Sequence, residues 1–288
     1  SSEMVFYLYV IDDDERLVGI ISLRDLVTTP PDTRLKDIMI RYLQTVRPET
    51  DQEEVARIVS QYNFLAVPVI DQEGQLLGIV TVDEIVDVIR EEATEDFLQM
   101  AGAGKDREIL MKSSWDNARS RLPWLFASWV GGVCAAAIIG IFDNTLQSTL
   151  ALAAFIPVVI GMGGNIGTQT STLVVRGLAT GRVNVGNNIN IIFKEIRVGL
   201  ILGILYGLLL GLFAIMSFVD ISPYLGLVVG LGIACSMLIA TAFGSLVPLL
   251  LHRMDIDPAI ATGPFVTTSI DILGVTLYFV IAKIFLPV

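Results

Sequence analysis

Two hydrophobic periods divide this chain. In roughly the first ninety residues, short runs of β-branched and aliphatic side chains alternate with clusters of Asp, Glu, Gly and Pro, a pattern of strands and short helices joined by turns. Farther on, five long apolar segments follow one another, near 122–142, 149–178, 195–219, 224–251 and 259–286. Each reaches the roughly 20 residues a helix needs to cross a hydrocarbon core. The pattern predicts an α-helical membrane protein with five transmembrane helices, preceded by an α/β region and a connecting helix.

The α/β region repeats itself at an offset of 59 residues. "YVIDDDERLVGIISLRDLV" (9–27) aligns with "PVIDQEGQLLGIVTVDEIV" (68–86), sharing V-I-D, L-x-G-I and a closing acidic–hydrophobic pair. Each copy reads as strand, turn, strand and helix start, with "DDDE" and "QEG" as the turns. The second copy also has a helix at about 51–62 before the strand "FLAVPVI". The first begins mid-unit, so residues 1–28 are expected to be the C-terminal part of one unit and 29–90 a whole one. A connecting helix over 91–120 and a membrane domain over 121–288 complete the expected organisation.

Charge separates the same two parts. Residues 1–120 hold 24 of the 30 acidic residues and 12 of the 19 basic ones, whereas 121–288 hold six and seven. With a net charge of -11 concentrated in the polar part, nucleic acid is excluded as a partner, because its electrostatic footprint is basic. The acidic surface instead repels anionic lipid or attracts cations. His252 is the only histidine, which excludes zinc sites built on several histidines; Cys134 and Cys235 lie in apolar runs and behave as small hydrophobes, with no disulfide framework.

Lysine and arginine in the short loops set the expected orientation. Arg119 and Arg121 precede the first span, Arg176, Arg182 and Lys194 lie between the second and third, and His252 and Arg253 between the fourth and fifth. The links "FDNTLQS" and "FVDISPY" have no basic residue. With no signal peptide expected ahead of it, the N-terminal region is expected in the cytoplasm, the spans in the cytoplasmic membrane and the C-terminus outside.

Polar residues at membrane depth carry the candidate chemistry. Span five, within "ATGPFVTTSIDILGVTLYFVIA" (261–282), holds Asp271 near its middle. A charged group there costs about 2.5 kcal/mol or more. Span two reads as broken by Pro157 and by "GMGGNIGTQT", and Pro264 precedes "FVTTSID". Broken helix survives in lipid only against protein or a wet cavity. Asn165, Thr168 and Gln169, with Thr267, Thr268 and Asp271 on one helical face, would line such a cavity with oxygen. An all-oxygen donor set suits hard divalent cations, and magnesium, which holds its waters tightly, is bound through one or two carboxylates. Two copies of Asp271 on a dimer axis would supply two. Asp143 and Asp220 fall at the outer ends of spans. Glycines at 199, 203, 207 and 211 have the spacing of tight helix packing in span three; those at 161, 163, 164 and 167 interleave with polar residues. Ahead of the spans, acids at 83, 87, 91 and 95, and again at 84, 92 and 96, form an acidic stripe on a helix, either a solvated face or a cation-binding one.

The repeat resembles a pair of CBS domains, small modules that often sense ligands, adenine nucleotides among them. With "IPVVIGMGGNIGTQTSTLVVRGLATG" (156–181) and "DPAIATGPFVTTSIDILG" (257–274), nearly the whole chain resembles the MgtE family of magnesium channels or transporters, expected here as an N-terminally truncated form. That resemblance implies a homodimer in the lipid bilayer with a central pore for Mg2+, and for other divalent cations as candidates. Asp271 then corresponds to the pore ion site, and Gly164, Asn165, Thr168 and Gln169 to the pore lining. Glu84, Asp87, Glu92, Glu95 and Asp96 of the connecting "plug" helix, with Asp257, correspond to regulatory Mg2+ sites that close the pore when internal magnesium is plentiful.

Three other readings compete. A proton- or ion-coupled secondary transporter or exporter would use Asp271 as a proton carrier. An intramembrane hydrolase would need a second deep catalytic group, and one deep aspartate with no partner histidine argues against an enzyme. An anion channel is disfavoured because a buried aspartate repels anions.

Overall fold

The computed structural model describes residues 6–41, 43–106, 108–183, 188–218, 222 and 224–286. Residues 184–187 of the second link and most of "FVDISPY", with Asp220, lie outside the described residues, as do the first five residues of the first repeat copy. The chain forms two compact units, 1–93 and 94–288.

In the first unit the repeat becomes visible as geometry. Strands β1 (Tyr7–Ile11) and β2 (Leu17–Ser22) pair antiparallel and lead into α1 (Leu23–Thr28). After the short α2 (Leu35–Ile38) and α3 (Gln52–Tyr62), strands β3 (Ala66–Ile70) and β4 (Leu76–Thr81) repeat the hairpin and lead into α4 (Val82–Met100). Adding 59 to the bounds of β1 and β2 gives those of β3 and β4, and both hairpins carry a register shift at the same place, Val10/Ile11 and Val69/Ile70. The turns match atom for atom. Asp12 Oδ1 accepts from the N–H groups of Asp14 and Arg16, as Asp71 Oδ1 does from those of Glu73 and Gln75. The hairpins meet reciprocally: the Leu17 N–H donates to the Gly74 carbonyl and the Leu76 N–H to the Glu15 carbonyl.

The core of this unit belongs to the second copy, where Val46, Val55, Ala56, Val59, Val67 and Ile85 pack together. Helix α3 makes the difference, since its apolar stripe covers Ile85, which is 2% exposed, while Leu26, 59 residues earlier, is 37% exposed. α3 starts on an Asp51 side chain that accepts from the Glu53 N–H and stops at Asn63 in the left-handed conformation, a residue that tolerates it.

In the second unit, five helices among the described residues are long and apolar enough to cross a membrane. They are α5 (Ser114–Ile141), α7 (Leu152–Ala179), α8 (Asn188–Ser217), α9 (Leu225–Arg253) and α10 (Pro264–Phe285), with the short α6 (Asp143–Ser148) after α5. α9 is the hub: α8 packs on it along its whole length, α7 and α10 pack on it and on each other, and α5 lies against α10. The glycines of α8 make that packing possible. A Cβ at Gly207 or Gly211 would sit 2.6 Å from the carbonyl oxygen of Gly230 or Gly226, so nothing larger than hydrogen fits between the backbones.

Two sequence expectations need correction. Span two is not broken: α7 runs unbroken through Pro157 and the whole "GMGGNIGTQT" stretch. At membrane depth an intact helix satisfies its backbone internally, which is cheaper than exposing freed carbonyls. Nor is the connector one helix over 91–120. α4 begins at Val82 and ends at Met100; Gly102 and Gly104, both at positive φ, turn the chain, and a 3-10 turn at Ile109–Met111 precedes α5. α5 then begins at Ser114, on a Ser113 side chain that accepts from the Asp116 N–H, well before the apolar stretch itself.

Candidate functional site

The unbroken α7 sorts its polar residues onto two faces. Gly163 and Gly167 are buried against α9 and α10: a Cβ on Gly163 would meet Ser236 Oγ at 2.7 Å, and one on Gly167 would meet the Ile270 side chain. The other face carries Gly161, Gly164, Asn165, Thr168, Gln169 and Thr172, which follow the three- and four-residue steps of a single helical face. Gly161, Asn165 and Gln169 are exposed, and Gly164, Thr168 and Thr172 half-buried. A face made of glycine, amides and hydroxyls is the opposite of what lipid tolerates, so this side of α7 requires water or another polar surface against it.

Asp271 comes to that face. It sits on α10 one turn after Thr267, and its Oδ1 is 3.6 Å from where a Cβ of Gly164 would be. The absence of a side chain at 164 leaves room for the carboxylate at this point of α7. Of the three α10 residues expected together, Thr268 turns to α5 instead. Thr268 packs its methyl group into the gap at Gly131 of α5, and the Thr267 hydroxyl donates back to the Pro264 carbonyl at 3.3 Å. Thr268 is thus a packing residue that locks α5 to α10.

The sequence reading passed over a second carboxylate. Glu195 on α8 is 9% exposed, and its Oε2 accepts from the Thr170 hydroxyl at 3.1 Å. It ties α8 to α7 one residue past the "GTQ" of the polar face. The available signal was its spacing from Gly199, which faces α9 one turn later.

The acids of α4 take separate roles. Glu84 is a helix cap, its Oε2 accepting from the Thr81 N–H at 2.9 Å and the Thr81 hydroxyl at 3.3 Å. Asp87 faces Arg90 at 3.7 Å, and Glu92 accepts from the Gln52 amide. Asp96 also interacts with neighbouring groups. Within the second unit the structure brings Glu95 and Asp257 together. Asp257 Oδ1 caps the 3-10 turn Pro258–Thr262 by accepting from the Ala259 N–H at 2.8 Å. Its Oδ2 accepts from Gln99 Nε2 at 2.8 Å, and the same amide nitrogen is 3.3 Å from Glu95 Oε1. Lys105 Nζ is 3.0 Å from Glu95 Oε1 and 3.7 Å from Asp257 Oδ2. Gln99 and Lys105, absent from the sequence-based site, are what joins the two carboxylates.

Comparison with known proteins assigns these parts. Residues 156–281 match the model of the MgtE family, described as a divalent cation transporter, and 3–31 and 35–91 match the CBS domain. The chain is 39% identical over 285 residues to the magnesium transporter MgtE of Bacillus subtilis (strain 168), covering 99% of this chain and 62% of that protein. To the magnesium transporter MgtE of Thermus thermophilus it is 38% identical over 289 residues, covering 99% and 63%. A crystal structure of the soluble part of a magnesium transporter shares 50% identity over 32% of this chain and 36% of its own, with a TM-score of 0.31. The chain thus spans a little under two thirds of the length of these curated relatives. From α7 to α10 the chain is similar to the MgtE family, described as divalent cation transporters, and ahead of its membrane helices it is similar to CBS domains.

Proposed function

We propose that this chain conducts Mg2+ across the cytoplasmic membrane as a homodimeric channel, with Asp271 as the ion site and Gly164, Asn165, Thr168 and Gln169 lining the path. One observation carries the reading: a continuous polar face at membrane depth on α7, with the only carboxylate of α10 opening onto it at Gly164. A second copy placed face to face would remove that face from lipid, enclose water between the chains, and bring two carboxylates to a shared axis. Two carboxylates suit a magnesium ion that keeps most of its waters. Inward flow is driven by the membrane potential at about 2.3 kcal/mol per charge per 100 mV, doubled for a divalent ion. The relatives named magnesium transporters support the choice of ion. In this reading the CBS region is cytoplasmic, by the basic loops, and the C-terminus lies outside.

Gating follows from the acidic helix. Mg2+ at Glu84, Asp87, Glu92, Glu95, Asp96 and Asp257 would neutralise repulsion and favour the closed state in proportion to its differential affinity. Glu95 and Asp257 support this best, being already adjacent. The donors there are oxygens of the kind magnesium takes. An adenine nucleotide at the CBS region is a further candidate ligand, to be tested by its effect on the same gating.

The test is Mg2+ uptake by proteoliposomes, with Co2+, Mn2+ and Ca2+ as competitors. Asp271→Ala is expected to lower uptake at least tenfold while the chain still runs as a dimer; unchanged uptake overturns the pore assignment. A proton-coupled transporter would acidify or alkalinise the lumen in step with uptake, and a channel would not.

A further inference from the structure

One face of α5 changes character at Arg121. The 20 residues Leu122–Ile141 contain no charged side chain and, at about 1.5 Å per residue, match the roughly 30 Å of a hydrocarbon core. The helix begins earlier, at Ser114, so its first two turns stand at the membrane surface with Arg121 at the boundary. Ser114, Asn117 and Arg121 line the polar end of an open groove along α5, and Leu122, Leu125, Phe126 and Trp129 line its apolar end. The four apolar side chains are 58–64% exposed, and the Phe126 and Trp129 rings stack with centroids 5.7 Å apart, forming a flat wall. Arg121 is exposed and, among the described residues, has no acid within ion-pair distance. Asp116, on the same helix, is taken up at the cap, accepting from the Ser113 hydroxyl at 2.6 Å. Asn117 donates one amide hydrogen to the Ile109 carbonyl at 3.3 Å and keeps a second for another acceptor.

We propose that this face binds an anionic phospholipid, with the phosphate on the Arg121 guanidinium and an acyl chain along Leu125, Phe126 and Trp129. Ser114 and Asn117 supply further donors to the headgroup. Charge complementarity selects the occupant. A wholly apolar partner would leave the guanidinium unused, whereas a phosphodiester accepts the two parallel N–H bonds that its planar fork presents. The apolar end supplies what a free phosphate cannot use, a surface for a hydrocarbon tail at the depth where a lipid has one. The attraction has to be local, because a net charge of -11 gives the chain as a whole no pull toward a negative surface. A second copy of the chain is the competing occupant. Packed on itself about a two-fold axis along the membrane normal, this face would bring two Arg121 charges to one depth with no acid between them. The site lies wholly on α5 and does not depend on the Mg2+ reading.

The experiment follows the thermal unfolding midpoint of the purified 288-residue chain in neutral detergent micelles as dioleoylphosphatidylglycerol or dioleoylphosphatidylcholine is added. A ligand that binds the folded state raises the midpoint as its site fills. The anionic lipid is expected to raise it with saturation and the zwitterionic one much less; equal responses overturn the site. Arg121→Gln should raise the half-saturating concentration of phosphatidylglycerol about fivefold, the effect of one arginine at a membrane surface. Arg119→Gln removes the same charge about 200° round the helix and should leave that concentration unchanged. Equal shifts in the two variants would make the response diffuse attraction and overturn the site. Phe126→Ala, which keeps every charge, should also weaken the lipid response, and an unchanged response overturns the acyl-chain half, as does inorganic phosphate raising the midpoint equally. On a background of Cys134→Ser and Cys235→Ala, Leu125→Cys chains in phosphatidylglycerol vesicles should not cross-link on mild oxidation. A disulfide-linked dimer would put a second copy in the groove and overturn the lipid.

Discussion

Glu15 and Gly74 occupy the same turn position in the two repeat copies, and both adopt positive φ, 62° and 86°. Glycine does so freely, while a residue with a Cβ is strained there by about 1–2 kcal/mol. Glu15→Gly is expected to stabilise the first hairpin by up to about 1 kcal/mol, seen as slower hydrogen exchange at its strand amides, and Gly74→Ala to do the reverse to the second. Tyr9 gives a second residue-level test. Its hydroxyl is buried without a partner, and burial pushes its pKa up to about 12. The folded state therefore holds the phenol proton more tightly than the unfolded chain, and this contributes stability below pH ~10 that is lost as pH climbs toward ~12. Tyr9→Phe should keep the fold at neutral pH and remove that alkaline loss in a pH series of unfolding midpoints. Glu84 shows why acidic residues need geometry before a role. From sequence it is one more member of a charged stripe, yet its oxygen closes the first turn of α4. Glu84→Ala should cost about 1 kcal/mol of helix stability, by circular dichroism against temperature, and Glu84→Gln much less, since the amide still accepts.

At the scale of elements, α7 and α8 show what glycine spacing does and does not reveal. Both helices carry four glycines within thirteen residues. In α8 all four are buried in the seam with α9, whereas α7 divides its own between a packing face, Gly163 and Gly167, and an open one, Gly161 and Gly164. Spacing announces close approach, but only the neighbours decide which face has one. The two cases separate experimentally. Gly207→Leu would drive a side chain into the Gly230 carbonyl and should abolish stable expression, read by size-exclusion chromatography of the detergent-solubilised chain. Gly164→Leu meets no backbone, so the chain should purify normally yet lose Mg2+ uptake in proteoliposomes, because leucine fills the space before Asp271. Equal loss of folded protein in both would make the α7 face mere packing. The five helices were legible because twenty apolar residues have few other fates. The continuity of α7 was not, since a stretch so rich in glycine and polar side chains is a poor helix former in water and a helix only because lipid leaves its backbone no other partners.

For the molecule as a whole, the polar face of α7 has to be covered, and the homodimer proposed here covers it with itself. On a background of Cys134→Ser and Cys235→Ala, a cysteine introduced at Gly161 or Gln169 should form an intermolecular disulfide on mild oxidation in membranes, doubling the mass on a nonreducing gel. A cysteine at Leu208, exposed on the far side of α8, should not. Cross-linking at 208 and not at 161 or 169 would put the pore somewhere other than between the α7 faces.

The sequence alone settled what depends on order and period along the chain: the 59-residue repeat, the two-part charge distribution, five membrane-length helices, and an aspartate where lipid penalises one. Those features are local or additive, and the hydrophobic effect reads them the same way in any context. What only the tertiary structure decided is which side chains share a neighbourhood. It separated Thr268 from Asp271, put Glu195 beneath Thr170, and brought Gln99 and Lys105 to a pair of carboxylates that lie 162 positions apart in the chain. Contacts of that reach depend on how helices cross and how closely their backbones approach, and a one-dimensional pattern carries no record of either.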